Sequence, residues 1–175
     1  LIVCSCASTA GLTPEEKAKK EEEKRIEAYQ DSMKHVIAVE SLKNLNFALE
    51  ADKVILKRGR SFFVTPTTNC ISAADGKATV QVASMRAGAG LNGIGGITVE
   101  GNTSKVVTKT DKKGNFSLSM YVNGVGISAS VFISLPAKSN TASANVVSNF
   151  HSYNITLQGN VVPFNDSNIY KGRSL

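Results

Sequence analysis

At 175 residues with 42% hydrophobic content, the chain is long enough for one domain with a packed core and too short to expect two. The formal net charge is +6, yet the lysines beyond the N-terminal region are scattered and no arginine-rich run or aromatic-basic interleaving appears, which argues against a nucleic-acid partner. No apolar stretch is long enough to span a bilayer as a helix, and abundant Ser, Thr, Asn and Gly without tryptophan suit many short strands joined by tight turns.

The chain opens LIVCSCAST without a methionine. Leu1, Ile2 and Val3 read as the end of an apolar signal segment, and Val3, Cys4 and Ser5 before Cys6 resemble a bacterial lipobox, with small Ser5 directly before the cleavage point. Cys6 is therefore the expected lipidation site. Acyl chains contribute about 0.8 kcal/mol per buried CH₂, so several of them make a stable anchor. A disulfide or metal pair at Cys4 and Cys6 is the competing reading, and a lone CxC falls short of a closed four-ligand site.

Residues 6–12 form a short tether after a signal remnant at 1–5. Thr13, Pro14 and Glu16 announce a helix over 13–45, as N-cap, first helical residue and capping-box acid. Its first turns, EEKAKKEEEKR, are polar on all sides and predict a solvated spacer, with Glu15–Lys19, Glu16–Lys20 and Glu21–Arg25 at the favourable spacing of four. Ile26, Tyr29, Met33 and Val36, followed by Leu42 and Leu45, predict the stripe that docks on the rest of the protein.

From residue 46 to 175 the apolar period falls to two, the signature of strands buried on one face. Phe47, Leu49 and Ala51 share one parity while Val54 and Leu56 take the other, which predicts a bulge near Asp52. After a basic turn at residues 57–60 and a strand at 62–64, Asp75-Gly76 closes a hairpin that sets Ala73 against Ala78, Ile71 against Val80 and Cys70 beside Gln81 on the outer face. Cys70 reads as a free thiol. Gly88-x-Gly90-x-x-Gly93 imitates a dinucleotide fingerprint, but the chain then enters Ile97–Glu100, a strand where a phosphate-binding helix would have to begin. Gly101-Asn102 predicts a turn, followed by strands at 105–110 and 115–122.

Asn123-Gly124 predicts a two-residue type I′ turn. In that register Val122 faces Val125, Met120 faces Ile127, Leu118 faces Ala129 and Phe116 faces Val131, with serines paired on the opposite face and Tyr121 over Gly126. Strands at 142–148 and 153–162 follow. A polar tail, 165–175, carries Ile169 and Tyr170 to close over an open end. The fold expected is mostly β, an antiparallel meander closing into a lipocalin-like barrel or an open sandwich, preceded by one long helix.

The segments NGIGGITVEG, TDKKGNFSLSM, GISASVFISL and DSNIYKGRSL, with the charged helix running into FALEAD, resemble a family of Bacteroidota lipoproteins known as domain-of-unknown-function family 4251. The resemblance implies an antiparallel β fold of lipocalin-like topology behind a helix. It carries no catalytic residues with it.

Catalysis would need a nucleophile, a base and an orienting group. His35 falls in the helix, His151 in a turn, and six acidic residues (Glu50, Asp52, Asp75, Glu100, Asp111 and Asp166) are spread over the β region. The expectation is thus a non-enzyme with no cofactor or metal: an outer-membrane protein facing the periplasm, held through lipid on Cys6. An envelope protein or a small apolar ligand is the expected partner. The alternative is a barrel that carries an apolar ligand or lipid inside, and the inward side chains, some small like Ala129 and some large like Phe116, do not separate the two.

Overall fold

The computed structural model describes residues 14–83, 96–149 and 154–172. Helix α1 (Pro14–Lys43) leads into β1 (Phe47–Leu56), β2 (Ser61–Phe63), β3 (Cys70–Ala74), β4 (Lys77–Val82), β5 (Ile97–Thr110), β6 (Phe116–Asn123), β7 (Ser128–Leu135), β8 (Thr141–Ser148) and β9 (Asn154–Pro163), with a 3₁₀ turn at Phe164–Asp166. Neighbouring strands pair in the order β2-β1-β3-β4-β5-β6-β7-β8-β9, and β9 returns to pair with β1 along nearly its whole length. Every pairing is antiparallel. The result is a closed eight-stranded barrel, with β2 as an extra strand beside β1. Closure removes the sheet edges that an open sandwich would leave unpaired.

Alternation decides what lies inside. Phe116, Leu118, Met120 and Val122 of β6 point inward together with Ala129, Val131, Ile133 and Leu135 of β7, all at most 2% exposed, while Ser117, Ser119, Ser130 and Ser134 face out. An apolar interior within a hydroxyl-rich wall is the inverse of a membrane-spanning barrel. No helix among the described residues is long and apolar enough to cross a membrane.

The bulge in β1 lies where the parity change places it: the pairing with β9 shifts between Ala51 and Lys53, so Leu49, Ala51 and Val54 are all buried. The Asp75-Gly76 hairpin also has the expected register, Ala73 with Ala78, Ile71 with Val80 and Cys70 with Gln81. Both turn residues take the positive φ of a type I′ turn, 52° at Asp75 and 76° at Gly76.

The β6–β7 hairpin corrects the expected register. Val122 pairs with Ala129, Met120 with Val131, Leu118 with Ile133 and Phe116 with Leu135, around a loop of residues 124–127. Gly126, at φ 73°, takes the left-handed position instead of Asn123, and the Gly124 amide donates to the Ile127 carbonyl at 2.9 Å. Val125, expected inside opposite Val122, is left exposed in the loop, but from Ile127 to Leu135 both registers keep the same side chains inside, so alternation there cannot separate them. Ladder length does: the observed register pairs all eight residues of β6 with all eight of β7, where the tighter turn would leave Ile133 and Leu135 beyond the end of β6. Tyr121 accordingly faces Ser130, and its ring lies under the Lys105 ammonium, 5.3 Å from the centroid.

Gly101-Asn102 is no turn. β5 runs straight through it, and residue 101 is glycine because a Cβ there would overlap the backbone of Asn123 and Gly124 at the end of β6. The irregularity comes later, between Ser104 and Val107, where Lys105 has φ 48°. A turn forms at 111–114, between the stretches expected as strands at 105–110 and 115–122: Asp111 Oδ1 accepts hydrogen bonds from the amides of Lys113 and Asn115, and Oδ2 accepts one from Asn115 Nδ2 at 2.7 Å. These bonds, that from the Asn115 side chain first, hold the Asp111 carboxyl below its ordinary pKa.

The docking stripe on α1 forms only at its end, where Leu42 and Leu45 pack on the core as expected. Ile26, Tyr29, Met33 and Val36 are exposed, and the buried helix residues are Ala38, Ser41 and Leu42. Helical periodicity marks an apolar face but not what covers it. About 45 Å long at 1.5 Å per residue, α1 touches β9, β1 and β6. The Nδ1–H of His35 donates a hydrogen bond to the carbonyl oxygen of Ser139 at 2.9 Å. Leu45, at φ 50°, ends the helix with bonds from Leu45 N to Leu42 O and from Asn46 N to Ser41 O, a Schellman closure without glycine. Packing of Leu45 on the core holds that backbone. The expected Glu21–Arg25 pair is replaced by Glu22–Arg25 at 3.3 Å.

Candidate functional site

The barrel interior is filled by its own side chains. Phe47, Leu49, Ile71, Phe116, Leu118 and Leu157 are among the large residues less than 2% exposed there, and interiors packed this way leave few voids larger than a water molecule. A cleft with room for a small molecule lies outside the wall, where the chain folds back over β3 and β4.

That return corrects the expectation for the tail, which covers the flank of the barrel and not an open end. Glu50 Oε1 accepts the Asn168 amide at 2.7 Å, and the Tyr170 amide donates to the Thr67 carbonyl at 2.7 Å. Gln81 completes the attachment. Its Nε2 donates to the Tyr170 carbonyl at 2.6 Å and to the Thr68 carbonyl at 3.2 Å, and its Oε1 accepts the Gly172 amide at 2.7 Å and the Thr98 hydroxyl at 3.1 Å. Both Gln81 and Thr98 are fully buried, and a buried carboxamide with both ends satisfied fixes one arrangement. Farther along, the Lys171 ammonium lies 2.6 Å from Glu100 Oε1.

Between this strap and the sheet lies a cleft of about 430 Å³, with Ser72, Thr79, Gln81, Glu100, Phe164 and Ile169 among its walls. The rows of the sheet produce its floor: Ser72 is paired with Thr79 and Thr79 with Glu100, and one step along Cys70 is paired with Gln81 and Gln81 with Thr98. Ser72 is 5% and Thr79 9% exposed, and neither hydroxyl hydrogen-bonds to any described residue. Each opens into the cleft with a donor and acceptor capacity unused.

Cys70 is buried as a free thiol in this wall, as expected. Burial first, and then the nearby Glu50 carboxylate, pushes its pKa up to about 12. A thiol kept protonated in this way is no nucleophile at neutral pH. His35 is occupied by Ser139, and Glu50, Glu100 and Asp111 each hold the fold together as described. Among the described residues no three His, Cys, Asp or Glu side chains approach closely enough to hold a metal ion. Cys4, Cys6, Thr13, Gly88, Gly90, Gly93 and His151 lie outside the described residues. Beyond the glycine-rich stretch the chain continues as β5, a strand.

Sequence reasoning assigned no part in a site to Ser72, Thr79 or Gln81. The available signal was a run of polar residues on the outer face of β3 and β4 together with Ile169 and Tyr170, apolar residues in an otherwise polar tail.

Residues 29–161 match the model of the family described as domain of unknown function DUF4251. The chain belongs to this family. A crystal structure of a DUF4251 family protein from Bacteroides eggerthii DSM 20697 is similar at 42% sequence identity and a TM-score of 0.72, over 85% of this chain and 99% of that one. No curated protein matches the chain. The family is one of unknown function, and neither its description nor that of the related structure indicates a catalytic class or a cofactor-binding group.

Proposed function

We propose that this family member is a non-catalytic, lipid-anchored protein of the bacterial outer membrane, facing the periplasm, whose barrel holds a small ligand in the cleft beneath its C-terminal strap. The observation that carries this reading is the contrast between an interior filled with side chains and an outer cleft with two unused hydroxyls. A cleft of this volume falls within the roughly 300–1,000 Å³ of small-molecule sites. The lipobox-like Val3-Cys4-Ser5-Cys6 and the exposed charged half of α1 support an anchor followed by a spacer.

The reading of the barrel as an internal lipid carrier is less well supported. A ligand inside would have to displace Phe116, Leu118 or Met120, each at most 1% exposed. The anchor is tested by feeding cells labelled palmitate and fractionating them. Label should depend on Cys6, and Cys6→Ala should release the domain from the membrane fraction; membrane association unchanged by that substitution refutes the anchor.

A further inference from the structure

The walls of the strap cleft point to a class of ligand. We propose that it binds a neutral polyhydroxylated molecule, a saccharide unit, through the Ser72 and Thr79 hydroxyls; the proposal rests on the reading of this cleft as the binding site. Ser72 and Thr79 stand directly opposite one another on β3 and β4, a spacing of roughly 4.5–5.5 Å between Cβ atoms. Two hydroxyls so placed, each able to donate and accept, complement adjacent hydroxyls of a sugar ring.

Charge excludes the other small polar ligands. Glu100 and Lys171 at the cleft are already paired at 2.6 Å, and Asp75 and Lys77 at its edge contribute one charge of each sign. An anion or cation would compete with a formed ion pair, whereas a neutral hydroxylated ring leaves it intact. Phe164 and Ile169 add an apolar wall that suits the C–H face of a ring, and a long acyl chain would leave both hydroxyls unsatisfied. Gln81, its hydrogen bonds taken up by the strap, by Thr68 and by Thr98, shapes the site without reading the ligand.

The test follows backbone amide shifts of the ¹⁵N-labelled full chain during titration with glucose, galactose and N-acetylglucosamine, and separately with glucuronate and glucosamine. At least one neutral sugar should shift the amides of Thr79, Gln81 and Gly172. Ser72→Ala and Thr79→Val should each weaken it by about tenfold, the effect of losing one hydrogen bond, while Thr79→Ser, which keeps the hydroxyl, should retain binding. Unchanged circular dichroism separates lost binding from lost folding. Shifts at these amides with glucuronate or glucosamine alone would overturn the neutral-sugar assignment and leave the cleft as the site. Silence of the cleft amides with all five probes would overturn both, and equal binding by the alanine and valine variants would place the sugar elsewhere.

Discussion

Gln81 and Tyr170 lie 89 residues apart in sequence and are joined by a 2.6 Å bond from the glutamine Nε2 to the tyrosine carbonyl. Through that contact the last described residues of the chain are held against the outer face of the barrel wall. The cleft depends on it, since Phe164, Ile169 and Lys171 belong to the returning strand of chain while Ser72 and Thr79 belong to the sheet.

Replacing Gln81 with leucine should release the strap. The substitution removes the side-chain partners of Tyr170, Gly172 and Thr98 together, and the loss should be about 1–3 kcal/mol, the cost of stranding a buried polar group. Denaturant unfolding would measure the loss. Hydrogen exchange should locate it, with faster exchange at Gly172 and unchanged exchange in β6 and β7.

Cys70 should resist alkylation in the native protein at pH 8. Its thiol, raised from 9.0 to about 12 by burial and by Glu50, stays protonated there. The folded-state pKa is the higher one, so this thiol's contribution to stability is intact below about 9 and is lost as pH rises from 9 towards 12, where the unfolded chain ionises first. Iodoacetamide trapping should report slow labelling in the native chain and faster labelling in Gln81→Leu. The alkaline decline in stability should be shallower in Cys70→Ala.

Leu157 is fully buried in the barrel interior. Leu157→Ala should cost about 2–5 kcal/mol, the loss of transfer free energy plus the cavity left behind. Chemical denaturation checks the magnitude, and a small apolar probe such as benzene should stabilise the variant and not the parent.

Gly159 and Gly126 should respond differently to alanine. A Cβ at Gly159 would overlap the Glu50 carbonyl oxygen and lie 2.6 Å from Ala51 Cα, beside the β1 bulge. Gly126 has open space around it but a φ of 73°. Gly159→Ala should cost about 3 kcal/mol, the upper end of overpacking, and Gly126→Ala about 1–2 kcal/mol of left-handed strain. Thermal unfolding of both variants would rank them.

Local patterns predicted local structure well. Asp75-Gly76 and the parity change between Ala51 and Val54 each have one short-range solution, and both appear. Asn123-Gly124 is less informative, because a shift by an even number of residues preserves every inside-outside assignment within the strands, and the choice depends on how far β7 extends along β6. Gly101 looked like a turn because its reason for being glycine is the backbone of residues 123 and 124, distant in sequence. The Ile26 to Val36 stripe is amphipathic without being covered by the barrel. The cleft was least legible, since Ser72, Thr79 and Gln81 acquire significance only when the tail returns across them.

Native mass spectrometry of the full chain purified from its own envelope tests whether the barrel is anchored, filled by its own side chains and bound to its ligand on the outside. The expected result is acyl groups covalently attached at Cys6, no apolar cargo, and loss of any bound polar mass in Thr79→Val. A non-covalent lipid that survives Thr79→Val and Gln81→Leu, on a polypeptide without acyl groups at Cys6, would contradict it.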